Sequence, residues 1–380
     1  MSGQQNYKRI RNAALCLSAI FCLLIFGARE ISAAAGDLDP TFGIEGKLTD
    51  GVFPDGNALR DTAIQSDGKI VAVGDAGPYF AVVRYNSDGS PDTTFGGTGK
   101  VTTGFFNRDQ KSLSVAIQAD GKIVAAGYAS FLDEYDNIWV VFALARYKTD
   151  GSLDTSFDGD GIVTTLFFPF GGVPYEVAYD VVIQPDGKIV AAGDAEGSFG
   201  VVRYNADGSL DASFDGDGIV TTLIGSGAGR AAAVAIQSDG KIVAAGSSLV
   251  SFGYLDFAAV RYNTNGSLDT SFDGDGIVTT MYSAGEDFAQ DVAIQADGKI
   301  VVGGCTSQGF DFDCDQFALA RYNANGSLDT TFDSDGKVTT FIFGGMYETY
   351  LNSVSIQPDG KIVAAGHGLV NGIRPNNDFA

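Results

Sequence analysis

Short apolar runs, interrupted at recurring places by polar clusters, set the pattern of this chain. A typical stretch reads Val234-Ala235-Ile236-Gln237, then Ser238-Asp239-Gly240, then Lys241-Ile242-Val243-Ala244-Ala245-Gly246. Two β-branched runs separated by a few turn residues predict a β-hairpin. At Pro185 and Pro358 the turn takes proline, which fixes φ near about −65° and donates no hydrogen bond. A type I turn with the glycine in a left-handed bulge position accommodates it, whereas a two-residue turn centred on Asp-Gly would put proline where a donor is needed.

The phrase Ile-Gln-x-Asp-Gly-Lys-Ile-Val occurs six times, with its glycine at Gly68, Gly121, Gly187, Gly240, Gly298 and Gly360, at spacings of 53, 66, 53, 58 and 62 residues. Solenoid repeats are shorter and more uniform, so this period belongs to a larger supersecondary unit with variable loops. A third strand is expected at Phe-x-x-x-Arg-Tyr, as in Phe199 to Tyr204, and a fourth at Gly-Ile-Val-Thr-Thr, as from Gly161, Gly218 and Gly276. Between them lies Leu-Asp-x-Ser-Phe, whose Leu and Phe are expected inside and whose Asp is expected to tie the turn. No helical period interrupts the pattern, so the fold class is all-β: a β-propeller of six four-stranded blades. Residues Leu38 to Thr49 read as a lone fourth strand, and Asp378-Phe379-Ala380 stand three residues into an expected third strand. The expectation is that the N-terminal strand closes a last blade left incomplete by C-terminal truncation, since closure removes sheet edges.

The Ile-Gln-x-Asp-Gly-Lys-Ile-Val, Arg-Tyr-Asn-x-Asp-Gly-Ser-Leu-Asp-x-x-Phe and Gly-x-Val-Thr-Thr blocks resemble the delta-60 repeat family over about residues 38–380. That resemblance implies a β-propeller of unknown function in an exported bacterial protein, and it brings no catalytic residues to transfer.

Residues 1–35 read as a signal peptide: Lys8, Arg9 and Arg11, an apolar run from Ala13 to Gly27, and Ser32-Ala33-Ala34-Ala35 for cleavage. The run falls short of the roughly 20 residues of a spanning helix, so no membrane insertion is expected after cleavage. Residues 36–380 form the propeller, and the mature protein is expected to be secreted, periplasmic or on the cell surface, as a monomer. The chain carries 47 acidic and 24 basic residues, a net charge of −23, which repels phosphates and excludes nucleic acid as a partner.

Candidate chemistry is sparse. A single histidine, His367, excludes a multi-histidine metal site and a Ser-His-Asp hydrolase. The Phe-Asp-Gly-Asp-Gly loops place Asp158/Asp160, Asp215/Asp217 and Asp273/Asp275 in alternation, with Asp333/Asp335 equivalent. These pairs resemble fragments of calcium loops, yet Phe42-Gly43-Ile44-Glu45-Gly46 keeps only one carboxylate and Phe95-Gly96-Gly97-Thr98-Gly99 neither, so the turn forms without the pair and turn chemistry is the stronger reading. Calcium is the only cofactor weighed. The repeated Arg84, Arg146, Arg203, Arg261 and Arg321 are expected to pack their stems and pair with a repeated Asp. Cys305 and Cys314, nine positions apart, are expected to form a disulfide.

The turn after Ile-Gln has constant length, whereas the second-to-third and fourth-to-first connections vary and fall on one face. Repeat proteins place insertions on their recognition face. Phe131, Tyr135, Trp139, Phe170, Tyr175, Phe252, Tyr254 and Phe310 occupy these loops, and Tyr135, Trp139, Tyr175 and Tyr254 are the candidate partner-binding residues. The functional reading is an exported, non-enzymatic binding or scaffold module for a protein or glycan. An architectural repeat within a larger surface protein is the alternative, followed by an Asp-based glycan-active enzyme.

Overall fold

The structure is a computed structural model that describes residues 38–49, 58–168, 174–251, 253–307, 314–342, 348–368 and 378–379. The expected signal peptide, residues 1–35, lies outside the described residues. The chain divides into two compact units, Met1–Thr49 and Asp50–Ala380. In the first, the Gly46 amide donates to the Phe42 carbonyl at 3.0 Å and the Ile44 amide to the Lys47 carbonyl at 2.8 Å, forming a tight turn.

The second unit, among its described residues, consists of strands grouped in six antiparallel sheets. Blade 1 holds β1 (Leu59–Ile64), β2 (Ile70–Ala76), β3 (Tyr79–Tyr85) and β4 (Lys100–Thr103). Blade 2 holds β5 (Gln110–Ile117), β6 (Ile123–Leu132), β7 (Ile138–Tyr147) and β8 (Ile162–Thr165). Blade 3 holds β9 (Glu176–Ile183), β10 (Ile189–Ala195), β11 (Ser198–Tyr204) and β12 (Ile219–Thr222). Blade 4 holds β13 (Arg230–Ile236), β14 (Ile242–Ser251), β15 (Tyr254–Tyr262) and β16 (Ile277–Thr280). Blade 5 holds β17 (Asp287–Ile294), β18 (Ile300–Thr306), β19 (Gln316–Tyr322) and β20 (Lys337–Thr340). Blade 6 has three strands among the described residues, β21 (Thr349–Ile356), β22 (Ile362–Gly368) and the two-residue β23 (Asp378–Phe379).

The turn that opens each blade follows from its sequence. In blade 4 the Gly240 amide donates to the Gln237 carbonyl at 2.9 Å, and the Gln237 amide closes the hairpin on the Lys241 carbonyl at 2.9 Å. Gly240 has φ 85°, the left-handed value that suits glycine. This is the type I turn with a glycine bulge that proline demanded.

Blades bury their apolar faces against each other. Val124, Phe142 and Leu144 of blade 2 share one cluster with Ala178, Val181 and Ile189 of blade 3. The inner strands are therefore covered on both faces, and β10 and β11 are buried at nearly every position. Polar ties repeat at the four seams from blade 1 to blade 5. Tyr147, Tyr204, Tyr262 and Tyr322 place their hydroxyls 2.6–2.7 Å from Thr103, Thr165, Thr222 and Thr280 of the preceding blade. Arg203 lies 4.6 Å over the Phe214 ring, donates from Nε to Asp211 at 2.6 Å, and reaches the Thr264 carbonyl of blade 4 at 2.6 Å. Lys188, from the opening turn, joins the same Asp211 at 2.9 Å. In blade 2, burial works against the Asp154 charge, but the Ser156 hydrogen bonds and the Arg146 charge outweigh it and hold the carboxyl at about 2. The repeated arginines are thus structural, as expected.

Each first strand also contains a β-bulge that the sequence pattern did not reveal. The partner of β13 steps from Ala231↔Gly246 to Ala233↔Ala245, leaving Ala232 unpaired. The cause is a glycine at the same position of every second strand. A Cβ on Gly74, Gly127, Gly193, Gly246, Gly304 or Gly366 would lie 1.8–2.0 Å from a carbonyl oxygen in the first strand or, for Gly74, one residue before it, so only glycine permits this close approach.

Candidate functional site

Strand direction alternates within a blade, so the second-to-third hairpins and the fourth-to-first loops share one face. Hydrogen bonds between them bear this out: the Ser130 amide of β6 donates to Asp109 at 3.0 Å, Val140 to Pro174 at 3.0 Å, and Ser226 to Leu249 at 3.1 Å. The face is uneven. Strands β6 and β14 run for 10 residues where β2, β10 and β18 run for 7. Three extra residues at about 3.3 Å each raise the hairpins of blades 2 and 4 by about 10 Å.

Buried acceptors at the start of the first strands hold the intervening loops. Gln110 accepts the Phe105 amide at 2.6 Å, Glu176 the Phe167 amide at 3.1 Å, and Asp287 the Tyr282 amide at 2.7 Å. Burial pushes Glu176 up to about 7 and Asp287 to about 6. The aromatic residues presented by these loops cap the blade core, with ring centroids 4.8 Å apart for Phe80–Phe105 and Phe142–Phe167 and 4.9 Å for Phe257–Tyr282.

A second aromatic row lies outside that core. Phe106 and Phe131 approach to 4.8 Å, and Phe131 and Trp139 to 5.7 Å, along the tall hairpin of blade 2. Asp133 at its tip accepts the Trp139 Nε1 proton at 3.1 Å, which fixes the indole. Tyr135 is 76% and Tyr175 58% exposed, while Trp139 and Tyr254 are half-buried. Phe105, Phe106, Asn107, Arg108, Phe131 and Leu132 line an open cleft of about 450 Å³ beside this row. Of the anticipated residues, the fold thus gathers Phe131, Tyr135 and Trp139 on one hairpin. Tyr175 adjoins through its bridge to Val140, and Tyr254 stands on the hairpin of blade 4. Phe170, Phe252 and Phe310 lie outside the described residues. Phe106 was not anticipated; its position one residue after a buried loop aromatic was the available signal.

The Asp pairs serve the turns. Asp160, Asp217, Asp275 and Asp335 accept the amide two residues ahead at 2.9–3.0 Å, and Asp158, Asp215, Asp273 and Asp333 take φ of 48–52°, which Asp tolerates. The amides of Asp158, Asp215 and Asp273 donate to the next blade at 2.7–2.8 Å. Among the described residues, no three His, Cys, Asp or Glu side chains converge as a metal set. Cys305 and Cys314 are joined in a disulfide, and His367 stacks on Tyr350 with centroids 5.4 Å apart.

Three further carboxylates were missed because Asp was read as a turn residue. Asp61, Asp180 and Asp291 follow the bulge in blades 1, 3 and 5. Each accepts the amide of its own next residue and that of Val115, Val234 or Val354 in the following blade, at 2.6–2.8 Å. They cap edge N–H groups of the first strands, and burial raises all three.

A family model described as "Domain of unknown function (DUF5122) beta-propeller" matches residues 65–95, 118–157, 184–214, 237–272, 295–332 and 357–377, just over half of the chain. No curated protein matches. Among solved structures, the K499G mutant of NanB sialidase from Streptococcus pneumoniae is similar, with a TM-score of 0.51 and 9% identity over 82% of this chain and 65% of that one, less than two thirds of its length. Virginiamycin B lyase from Staphylococcus aureus has a TM-score of 0.37 at 10% identity, covering 77% and 90%. A glucose dehydrogenase has 0.46 at 11%, covering 81% and 92%. At these identities the likeness concerns the fold alone.

Proposed function

The chain belongs to the DUF5122 β-propeller family, and on that premise we propose that it is an exported, non-enzymatic binding module, built of delta-60-like repeats, whose partner docks on the long-loop face. The observation that carries this reading is the aromatic row in which Phe106 of the β4–β5 loop meets Phe131 and Trp139 of a hairpin raised above its neighbours, with Tyr135 at the tip. Aromatic side chains are enriched at recognition surfaces because they bury large area at little conformational cost. The repeated Arg and Asp, which in an enzyme would be the obvious acids and electrophiles, are engaged in seams and turns. The disulfide fits an oxidising compartment.

The partner is a protein or glycan at the cell envelope, and the protein acts without a cofactor. The test is a triple Tyr135→Ala, Trp139→Ala, Tyr254→Ala variant, checked for folding by circular dichroism and compared with wild type for binding to envelope extracts and a glycan panel. Loss of the bound species supports the reading. A partner whose footprint maps to the opposite face, where the constant opening turns lie, overturns it.

A further inference from the structure

We propose that the bulge residues of the six first strands form a second ligand site, in the cavity those strands surround, for a neutral polyhydroxylated molecule of mono- or disaccharide size. This goes beyond docking on the long-loop face and involves none of its aromatics.

The residue left unpaired by the bulge is Arg60, Leu113, Tyr179, Ala232, Gln290 or Asn352. All six line one cavity of about 610 Å³, within the range that holds small molecules. The glycine that forces each bulge is the same in every blade, and Ile-Gln recurs downstream in each. Yet no two bulge residues are alike. Packing explains the constant positions, since every seam has the same job. It makes no demand on a side chain that leaves the ladder and enters a cavity. Six unlike groups around an otherwise repeating wall suit a ligand without that symmetry.

The chemistry of the lining selects the ligand class. Arg60 is the one cationic side chain among the described residues lining the cavity, it faces the carboxyls of Asp61, Asp180 and Asp291, and its guanidinium already bonds Asp75 at 3.2 Å, so the lining offers an anion no net positive charge. Both oxygens of Asp61, Asp180 and Asp291 accept edge amides, and Asp180 also accepts the Ser114 hydroxyl at 2.7 Å, and among the described residues no three carboxylates converge as a metal set, so the lining holds no ready-made cation site. Leu113 and Ala232 offer too little surface to hold an apolar molecule. The amides of Gln290 and Asn352 make no side-chain hydrogen bond among the described residues. Two amides and a phenol beside small apolar patches match the mixed hydroxyl and C–H surface of a sugar.

Saturation-transfer NMR on the whole protein tests this with a panel of neutral hexoses, pentoses, N-acetylhexosamines and their disaccharides, alongside glucosamine, glucuronate and calcium. At least one neutral sugar is expected to bind. Ala232→Trp, which fills the cavity, is expected to abolish that binding. Gln290→Ala with Asn352→Ala, which removes only cavity-lining amides, is expected to weaken it by about tenfold or more, the effect of losing one well-made hydrogen bond. The double variant also keeps the test decisive if Ala232→Trp does not fold. Three results overturn the proposal: no neutral sugar bound, binding confined to glucosamine or calcium, or a bound sugar that responds to the Tyr135/Trp139/Tyr254 variant and not to the cavity variants. The last would leave the long-loop face reading intact.

Discussion

Asp180 gives the sharpest test of the electrostatics at the centre of the blades. Its carboxylate accepts the Val181 amide at 2.8 Å, the Val234 amide of blade 4 at 2.8 Å and the Ser114 hydroxyl of blade 2 at 2.7 Å. Burial outweighs these bonds, and with the Asp291 charge added it pushes the carboxyl up to about 7 from 3.8. Because the folded pKa is the higher one, the group's contribution is full below the unfolded value. It is then lost as pH rises and levels off above about 7. Integrating proton release for these two values between pH 5 and 8 gives a loss of roughly 2 to 3 kcal/mol. Glu176 and Asp287, at about 7 and about 6, act in the same direction, so wild type is expected to weaken over this range. Asp180→Asn removes one titration and keeps one acceptor. With an m-value of about 3 kcal/mol/M, the variant's urea midpoint should fall by about 1 M less than wild type between pH 5 and pH 8. Equal pH dependence in the two proteins would refute the argument.

Other consequences are smaller or more local. Tyr204→Phe removes the 2.6 Å contact with Thr165 and should cost about 1–2 kcal/mol in urea unfolding, since Thr165 is left buried without its partner. Arg203→Lys keeps the charge but cannot hold Asp211, Ser213 and the Thr264 carbonyl together; a loss of about 3 kcal/mol is expected, and a change below about 0.5 kcal/mol would show that the fork geometry is immaterial. Asp217→Ala should cost about 1 kcal/mol through the lost Ile219 amide bond while Asp217→Asn stays near neutral, and neither melting curve should respond to millimolar calcium. Reduction of Cys305–Cys314 should release two alkylatable thiols by mass spectrometry and speed hydrogen exchange in β18 and β19, with a local loss of about 2–3 kcal/mol.

Much of this fold could be read residue by residue because its turns carry strong local preferences. Proline at Pro185 and Pro358 already required the type I turn with a glycine bulge, and the Arg–Asp pairing followed from a repeated cation beside a repeated acid. The first-strand bulge escaped because one inserted residue leaves the apolar run on either side intact, and a period of two is too weak over seven residues to register a skipped position. Asp61, Asp180 and Asp291 escaped for a related reason: in a chain with so many turn aspartates, an aspartate inside a strand looks like noise until its edge amides are seen. The aromatic face was half legible. Loop length pointed to Tyr135 and Trp139, but only the folded hairpin brings Phe106 to Phe131.

The tyrosine–threonine ties have a consequence for how the chain comes into being. Each spans 39 to 44 residues and links a blade only to the one synthesised just before it. A blade emerging from the ribosome therefore finds its docking surface already made, and until blade 6 meets blade 1 each loop closure spans only about one repeat. Growth can proceed in the order of translation, with the flank of the newest blade and that of blade 1 as the unfinished surfaces until the last blade forms. On this view, a defect in an early blade should stall everything downstream of it, whereas the same defect in blade 5 should leave a folded N-terminal stack behind.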